Sequence, residues 1–210
     1  KNPLGGLRGA AQLLERELPS QDLREYTRII IDEADRLQGL LNRMLGPNQL
    51  PQLGEVNIHH VLEHVRGLLS AEYPGGPAII RDYDPSIPDL HADSDRLIQA
   101  LLNIARNGAE AAGDNGELSF STRVLRQFTL GNELHRLVLR VEIEDTGPGI
   151  PEKLLDRIFF PMVSGRAGGS GLGLPIAQEL INQHGGLIEC ESRPGSTRFF
   201  VYLPLEPNDE

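Results

Sequence analysis

Asn103 and Asn107 stand four residues apart in a segment with helical periodicity, so they share one face a turn apart, and Gln99 extends the stripe. Leu97, Leu101, Ile104 and Gly108 fall on a different face and are expected to take the core side. Two amide oxygens suit a Mg2+ ion that already carries phosphate, because magnesium keeps water and phosphate oxygens and takes few protein ligands. The same stripe is routine on the solvent face of an amphipathic helix. A second element, Glu144-Asp145-Thr146-Gly147-Pro148-Gly149-Ile150, ends an apolar run. A carboxylate at a strand end can accept an exocyclic N–H, and nearby glycines let backbone approach a flat ring; adenine meets that demand. Asp-Thr-Gly also occurs in aspartic proteases. That chemistry needs a second such aspartate in a β-rich chain about twice this length, and only one is present.

A third element, Gly168-Gly169-Ser170-Gly171-Leu172-Gly173-Leu174, runs straight into a helical segment, where bare backbone N–H groups bind phosphate. It lacks the Lys-Ser/Thr of a P-loop and does not sit in a βαβ unit, so neither of those motifs fits. Between the glycine elements lies Phe159-Phe160-Pro161-Met162-Val163-Ser164-Gly165-Arg166. It reads as a mobile loop with an apolar plug, or as a lid whose aromatics pack over a bound nucleotide while Arg166 reaches the terminal phosphate. His59, His60, His64, His91, His135 and His184 lie outside any metal spacing; His60 and His64 are i, i+4, but zinc needs further ligands nearby.

The elements that must hold these pieces are legible in outline. Of 210 residues, 39% are apolar, enough for a sizeable core. No apolar run approaches the 18 or so residues of a membrane span. Twenty Lys and Arg against thirty Asp and Glu leave a net charge of −10, with no basic run and no interleaved aromatics for nucleic acid. Cys190 is the single cysteine, which excludes an intrachain disulfide and weakly favours a reducing compartment. The chain starts at Lys1 without a Met or a signal peptide and reads as a piece of a longer one.

Residues 1–46 read as two helices broken at Pro19-Ser20. Leu4, Leu7, Ala11, Leu14 and Leu18 form one heptad seam; Leu23, Tyr26, Ile30, Glu33, Leu37, Leu40 and Met44 form the other, with Glu33 its polar fault. Two such helices cannot bury both seams alone, so a homodimer completing a four-helix bundle is expected. Residues 47–52 read as a linker and 53–206 as an α+β unit: helices over Asn57–Ala71, from Asp93 or Ser94 to Ala112, and over Leu174–His184. A strand begins at Ala78, a hairpin pairs Glu117–Leu130 with Glu133–Glu144, and a closing pair joins Leu187–Ser192 to Arg198–Leu203. The expected sheet is antiparallel with helices segregated to one face, and 207–210 form a tail.

The order Asn-x3-Asn, Asp-x-Gly-x-Gly, aromatic lid, Gly-x-Gly resembles the Bergerat (GHKL) ATP site of histidine kinases, gyrase, Hsp90 and the mismatch-repair ATPases, whose fold is an α/β sandwich. The hydrolases and serine kinases of that group carry a glutamate where Asn103 stands, and a nucleophilic imidazole needs little base help, so the site resembles a histidine kinase. Lys1-Asn2-Pro3-Leu4 resembles the tail of the family's His-Glu-x-x-Asn-Pro box, which places the acceptor histidine three positions before Lys1. Residues 1–14, Arg81-Asp82-Tyr83-Asp84-Pro85-Ser86 and 160–166 resemble the nitrogen-regulation sensor kinases of proteobacteria.

That resemblance implies ATP and Mg2+ as cofactors, a response-regulator receiver domain as substrate, a PII-type signal protein as modulator, and a cytoplasmic location. It implies that Asp145 accepts the adenine amine and that Asn103 and Asn107 hold Mg2+ and phosphates. Gly147, Gly149, Gly169, Gly171, Leu172 and Gly173 bring backbone close, Ser164 and Arg166 act near the terminal phosphate, and Asn2 orients a water for dephosphorylating the partner. Two rivals stay open: another Bergerat-fold ATPase, and a degenerate kinase serving as a dimeric scaffold.

Overall fold

The computed structural model describes residues 3–17, 23–24, 26–28, 30–31, 52–165 and 170–205. The chain divides into two compact units, Lys1–Gln49 and Leu50–Glu210.

In the first unit, helix α1 spans Pro3–Glu17, and residues 23–24, 26–28 and 30–31 are helical. Arg28 Nε donates to Glu15 Oε1 at 2.9 Å, an exposed tie between the two helical stretches. Ala11 and Thr27 are buried. Leu13, Leu14, Leu23, Tyr26 and Ile30 are 44–65% exposed, so much of the apolar seam faces outward in the single chain. Leu18, Glu33, Leu37, Leu40, Met44 and the side chains of Leu4 and Leu7 lie outside the described residues.

The second unit is an α/β sandwich. Its elements are β1 (Gly54–Val56), α2 (Ile58–Glu72), β2 (Ala78–Asp82), β3 (Leu90–Ala92), α3 (Ser94–Ala112), β4 (Glu117–Leu130), β5 (Glu133–Asp145), α4 (Glu152–Leu155), α5 (Gly173–Asn182), β6 (Leu187–Arg193) and β7 (Ser196–Pro204). Asn57 caps α2 by accepting from His59 N and His60 N, and Asp93 caps α3 by accepting from Arg96 N. Gly113 ends α3 with φ +66.

The main sheet has the order β2-β4-β5-β7-β6, and β1 pairs antiparallel with β3 in a separate two-stranded sheet. The expectation of an antiparallel sheet needs one correction. β2 runs parallel to β4, with Ala78 opposite Glu117 and Asp82 opposite Ser121. α3 and the short β3 separate the two strands in sequence, and such a crossover permits the parallel arrangement that a tight hairpin forbids.

Alternation settles which face is covered. Phe120, Ile143 and Phe199 lie opposite one another, as do Val141 and Val201; with Leu118 they are buried, as are Leu97, Leu101 and Ile104 of α3. The opposite face carries Arg140, Glu142, Glu144, Glu191 and Arg198, with Arg140 paired to Glu142 and Arg198 to Glu191. At one end of that face Val138, Phe200, Tyr202 and Leu130 form a small second cluster, with Phe128 stacked on Tyr202.

Candidate nucleotide site

The amide stripe is set by the way α3 packs. Leu97, Ala100, Leu101, Ile104, Ala105, Gly108 and Ala109 are buried, which leaves Gln99, Asn103 and Asn107 half-buried on its flank. Near its C-terminal end the helix comes down onto the end of β5. A side chain at Gly108 would put its Cβ 2.7 Å from Leu118 Cδ1 and 3.5 Å from Asp145 Cβ. Glycine is therefore what lets the helix and the carboxylate meet.

Asp145 is the last residue of β5, 3% exposed, and faces Leu118 of β4 and Thr197 of β7 in register. Its Oδ1 accepts Gly147 N at 2.9 Å. A Cβ on Gly147 would fall 2.6 Å from that oxygen and 2.8 Å from Ala111 O. Gly149 has φ +86, and its missing side chain makes room for Arg193 O. The turn between β6 and β7 ties the loop down: Gly195 N donates to Gly147 O at 2.9 Å, and Ile150 N donates to Ser192 Oγ at 2.8 Å. Ser192 Oγ in turn lies 2.9 Å from Thr197 Oγ1. Behind this carboxylate, burial, followed by the negative charge of Asp145 and Glu191, pushes the Cys190 thiol up to about 12, so it stays protonated.

Gly173 opens α5 against the amide stripe. Its Cβ position would be 3.8 Å from Asn107 Nδ2 and 3.9 Å from Asn103 Cβ. No side chain caps this helix, and Leu172 beside it is 2% exposed. Gly171, with φ +62, leaves no room for a side chain against the Met162 and Val163 backbone, and Met162 N donates to Gly171 O at 3.0 Å. This pair holds Met162 beside Gly171. Phe160 and Met162 are 58% and 77% exposed, Phe159 is half-buried and Ser164 exposed.

The second unit thus sets Asp145 and Gly147 against the C-terminal end of α3 and Gly173 against Asn103 and Asn107, while Gly149 packs on Arg193 and Gly171 on Met162 and Val163. Asn2, Arg166, Gly168 and Gly169 lie outside the described residues. Among the described residues no group of three or more His, Cys, Asp and Glu side chains could hold a metal ion. A divalent ion here would fit the pair of amides together with the phosphates it arrived on, the arrangement magnesium tolerates.

Nothing in the local sequence marks Ser192, Thr197 or His184 as parts of this cluster. Ser192 and Thr197 flank a Pro-Gly turn and look like ordinary hairpin residues; only the fold reveals that the turn grips the Asp145 loop. His184, outside any metal spacing, joins two elements instead: its ring accepts Asp93 N–H and reaches Leu180 O.

A profile of the His Kinase A (phospho-acceptor) domain matches residues 1–51, and one of the histidine kinase-, DNA gyrase B-, and HSP90-like ATPase family matches residues 92–207. The chain is 55% identical over 207 residues to the sensory histidine kinase/phosphatase NtrB of Escherichia coli O157:H7, a match covering 98% of this chain and 59% of that protein. It therefore spans somewhat over half the length of such curated relatives. Among solved structures, full-length ShkA in complex with AMPPNP is 28% identical with a TM-score of 0.68, the match covering 96% of this chain and 43% of that one. Histidine kinase ThkA in complex with response regulator protein TrrA is 25% identical with a TM-score of 0.67, covering 100% and 59%. The chain belongs to the histidine kinase-, DNA gyrase B-, and HSP90-like ATPase family, with a His Kinase A segment preceding the ATPase domain.

Proposed function

We propose that this chain is the catalytic core of a two-component sensor histidine kinase. It uses Mg-ATP to phosphorylate a histidine, and the phosphoryl group passes to an aspartate of a response regulator. The reading extends to nitrogen regulation, with phosphatase activity toward the same regulator. One observation carries the ATP site: a single helix sets Gly108 on Asp145 and, on the adjoining flank, Asn103 and Asn107 on the glycine that opens α5. A base pocket and a phosphate pocket are thereby held by one rigid element. The NtrB likeness supports the kinase and phosphatase pair and the nitrogen context, and the ThkA–TrrA complex supports a response-regulator partner.

ATP supplies the transferable phosphoryl group and magnesium neutralises its charge. Asp145 accepts the adenine amine. Gly147 and Gly149 bring backbone to the ring; Gly169, Gly171, Leu172 and Gly173 present N–H groups to the phosphates. Asn103 and Asn107 hold the metal and phosphates, Ser164 and Arg166 steady the terminal phosphate from the lid, and Asn2 orients water for dephosphorylation. In this scheme residues 1–46 dimerise, 47–52 link, 53–206 bind Mg-ATP, and 207–210 are a tail. The outward Leu13, Leu14, Leu23, Tyr26 and Ile30 support a homodimer. The NtrB likeness also supports a cytoplasmic location and a PII-type modulator. No described helix is long and apolar enough to cross a membrane.

The experiment is phosphoryl transfer from labelled ATP to a separately supplied phosphoacceptor histidine domain, with Asn107→Asp as the variant. Transfer should fall by about 100-fold or more while the fold is retained, because a carboxylate repels the phosphates that the amide held. Unchanged transfer contradicts the assignment. Steady phosphate release without a histidine acceptor would instead favour a gyrase- or Hsp90-like ATPase.

A further inference from the structure

The two helices that form the phosphate end of the site are fastened together at their opposite end. Asp93, the capping residue of α3, donates its backbone N–H to His184 Nε2 at 3.0 Å. His184 Nδ1 lies 2.7 Å from Leu180 O, in the last turn of α5. A backbone N–H can only donate and a carbonyl only accept, so both bonds together require the neutral ring with its proton on Nδ1. The Asp93 side chain is occupied as well: Oδ1 accepts Arg96 N at 3.1 Å and Oδ2 accepts Gln52 N at 2.9 Å. Arg96 also reaches Gln183, next to the histidine. Asp93 is only 7% exposed.

We propose that His184 is a positioning residue for the phosphate site: its ring clamps the N-terminus of α3 to the C-terminus of α5 and so fixes how Gly173 faces Asn103 and Asn107. This inference rests on the reading of that site as an ATP site. Ten residues of α5 span about 15 Å, and Asp93 stands about 15 Å along α3 from Asn103 and about 21 Å from Asn107. The helices therefore run antiparallel, with the clamp at one end and the amide–glycine contact at the other. A swing of about 5° about the clamp moves the far end by about 1 Å, enough to matter to groups whose work is alignment. The adenine end is α3 packed on the Asp145 loop, which the β6–β7 turn holds in place, and none of those contacts involves α5. Loss of the clamp should consequently weaken phosphate recognition more than base recognition.

The test compares affinity for a non-hydrolysable ATP analogue with magnesium and for adenosine alone. His184→Phe should lose about tenfold or more in analogue affinity with adenosine affinity little changed. His184→Gln, whose amide offers one donor and one acceptor, should recover most of the loss. Equal losses for both ligands, or none for either, overturn the proposal. A second measurement needs no variant: in the wild-type chain, by reciprocity, the analogue should slow hydrogen exchange at the Asp93 amide and adenosine should not. An unchanged Asp93 amide also overturns it. If the wild-type chain binds no analogue at all, it is the reading of the site that fails, together with this inference.

Discussion

Gly147 and Gly108 both lie against Asp145, yet alanine at the first should cripple binding and alanine at the second should be tolerated. A Cβ on Gly147 meets Asp145 Oδ1 at 2.6 Å, Ala111 Cβ at 2.8 Å and Ala111 O at 2.8 Å. A backbone carbonyl in a helix cannot retreat, so the loop must. That movement stretches the 2.9 Å bond from Gly147 N to Asp145 and the bond from Gly195 N to Gly147 O. Overpacking costs about 1–3 kcal/mol, and a hydrogen bond to a charged acceptor about 1.5–3 kcal/mol. The unliganded loop can relax away from part of this cost, but nucleotide binding must restore its position. About 2 kcal/mol should then appear in the affinity, a loss of about 30-fold. At Gly108 the closest atom is Leu118 Cδ1, the end of a side chain, at 2.7 Å, and the Asp145 atoms sit at 3.5 and 3.6 Å. Alanine in a helix interior gains up to about 1 kcal/mol over glycine, which offsets the shift of one leucine methyl. Gly108→Ala should bind within about fivefold of the wild type. Isothermal titration with a non-hydrolysable ATP analogue measures both, with thermal melts to verify folding. Equal affinities for the wild type and a folded Gly147→Ala, or a Gly108→Ala as crippled as Gly147→Ala, would refute this account of the loop.

Three further outcomes are expected. Gly171→Ala combines a left-handed backbone, φ +62, with a Cβ 2.7 Å from the Met162 backbone, so it should loosen the lid neck. Phosphoryl transfer should fall about tenfold or more while adenosine affinity stays put, and equal transfer in a rapid-quench assay would contradict it. Burial holds the His59 imidazole below its ordinary 6.5, against the pull of nearby Asp84 and with His60 adding to the depression. The unfolded chain then takes up the proton first as pH drops through 6.5, so that contribution to stability is present above 6.5 and fades as pH falls toward the lower folded value. Melting temperature should decline across that window, and His59→Gln, which keeps a partner for Thr122 Oγ1, should flatten the slope; identical slopes count against it. Leu23→Glu with Ile30→Glu, both 44% exposed, should convert a dimer to monomer in light scattering, since each side chain contributes about 1.5–3 kcal/mol when buried. An unchanged mass would remove the seam from the interface.

What the sequence reveals and what it conceals follow from how local each signal is. Helix α3 was legible from end to end, because its cap, its apolar period and its terminal glycine are all contained within Asp93–Gly113. The β4–β5 hairpin was equally plain, since Gly131-Asn132 marks the turn and both strands alternate. The strands β1 and β3 escaped notice. Each is three residues long and is defined only by a partner far along the chain, Gly54 opposite Ala92. The parallel register of β2 escaped for the same reason. Asp145, Gly147 and Gly149 stand out because glycine spacing beside a carboxylate is unusual, and Gly171 and Gly173 because a glycine run enters a helix. Ser192, Thr197 and His184 do not: their roles come from what they touch across the fold, and nothing in their neighbours' sequence hints at it.

The most direct measurement is calorimetric titration of the chain with a non-hydrolysable ATP analogue at millimolar magnesium, repeated with Asp145→Asn. A saturable heat at one site per chain, largely abolished in the variant, is the predicted result. No heat from the wild-type chain, or binding indifferent to the loss of that carboxylate, would contradict the nucleotide site on which the account rests.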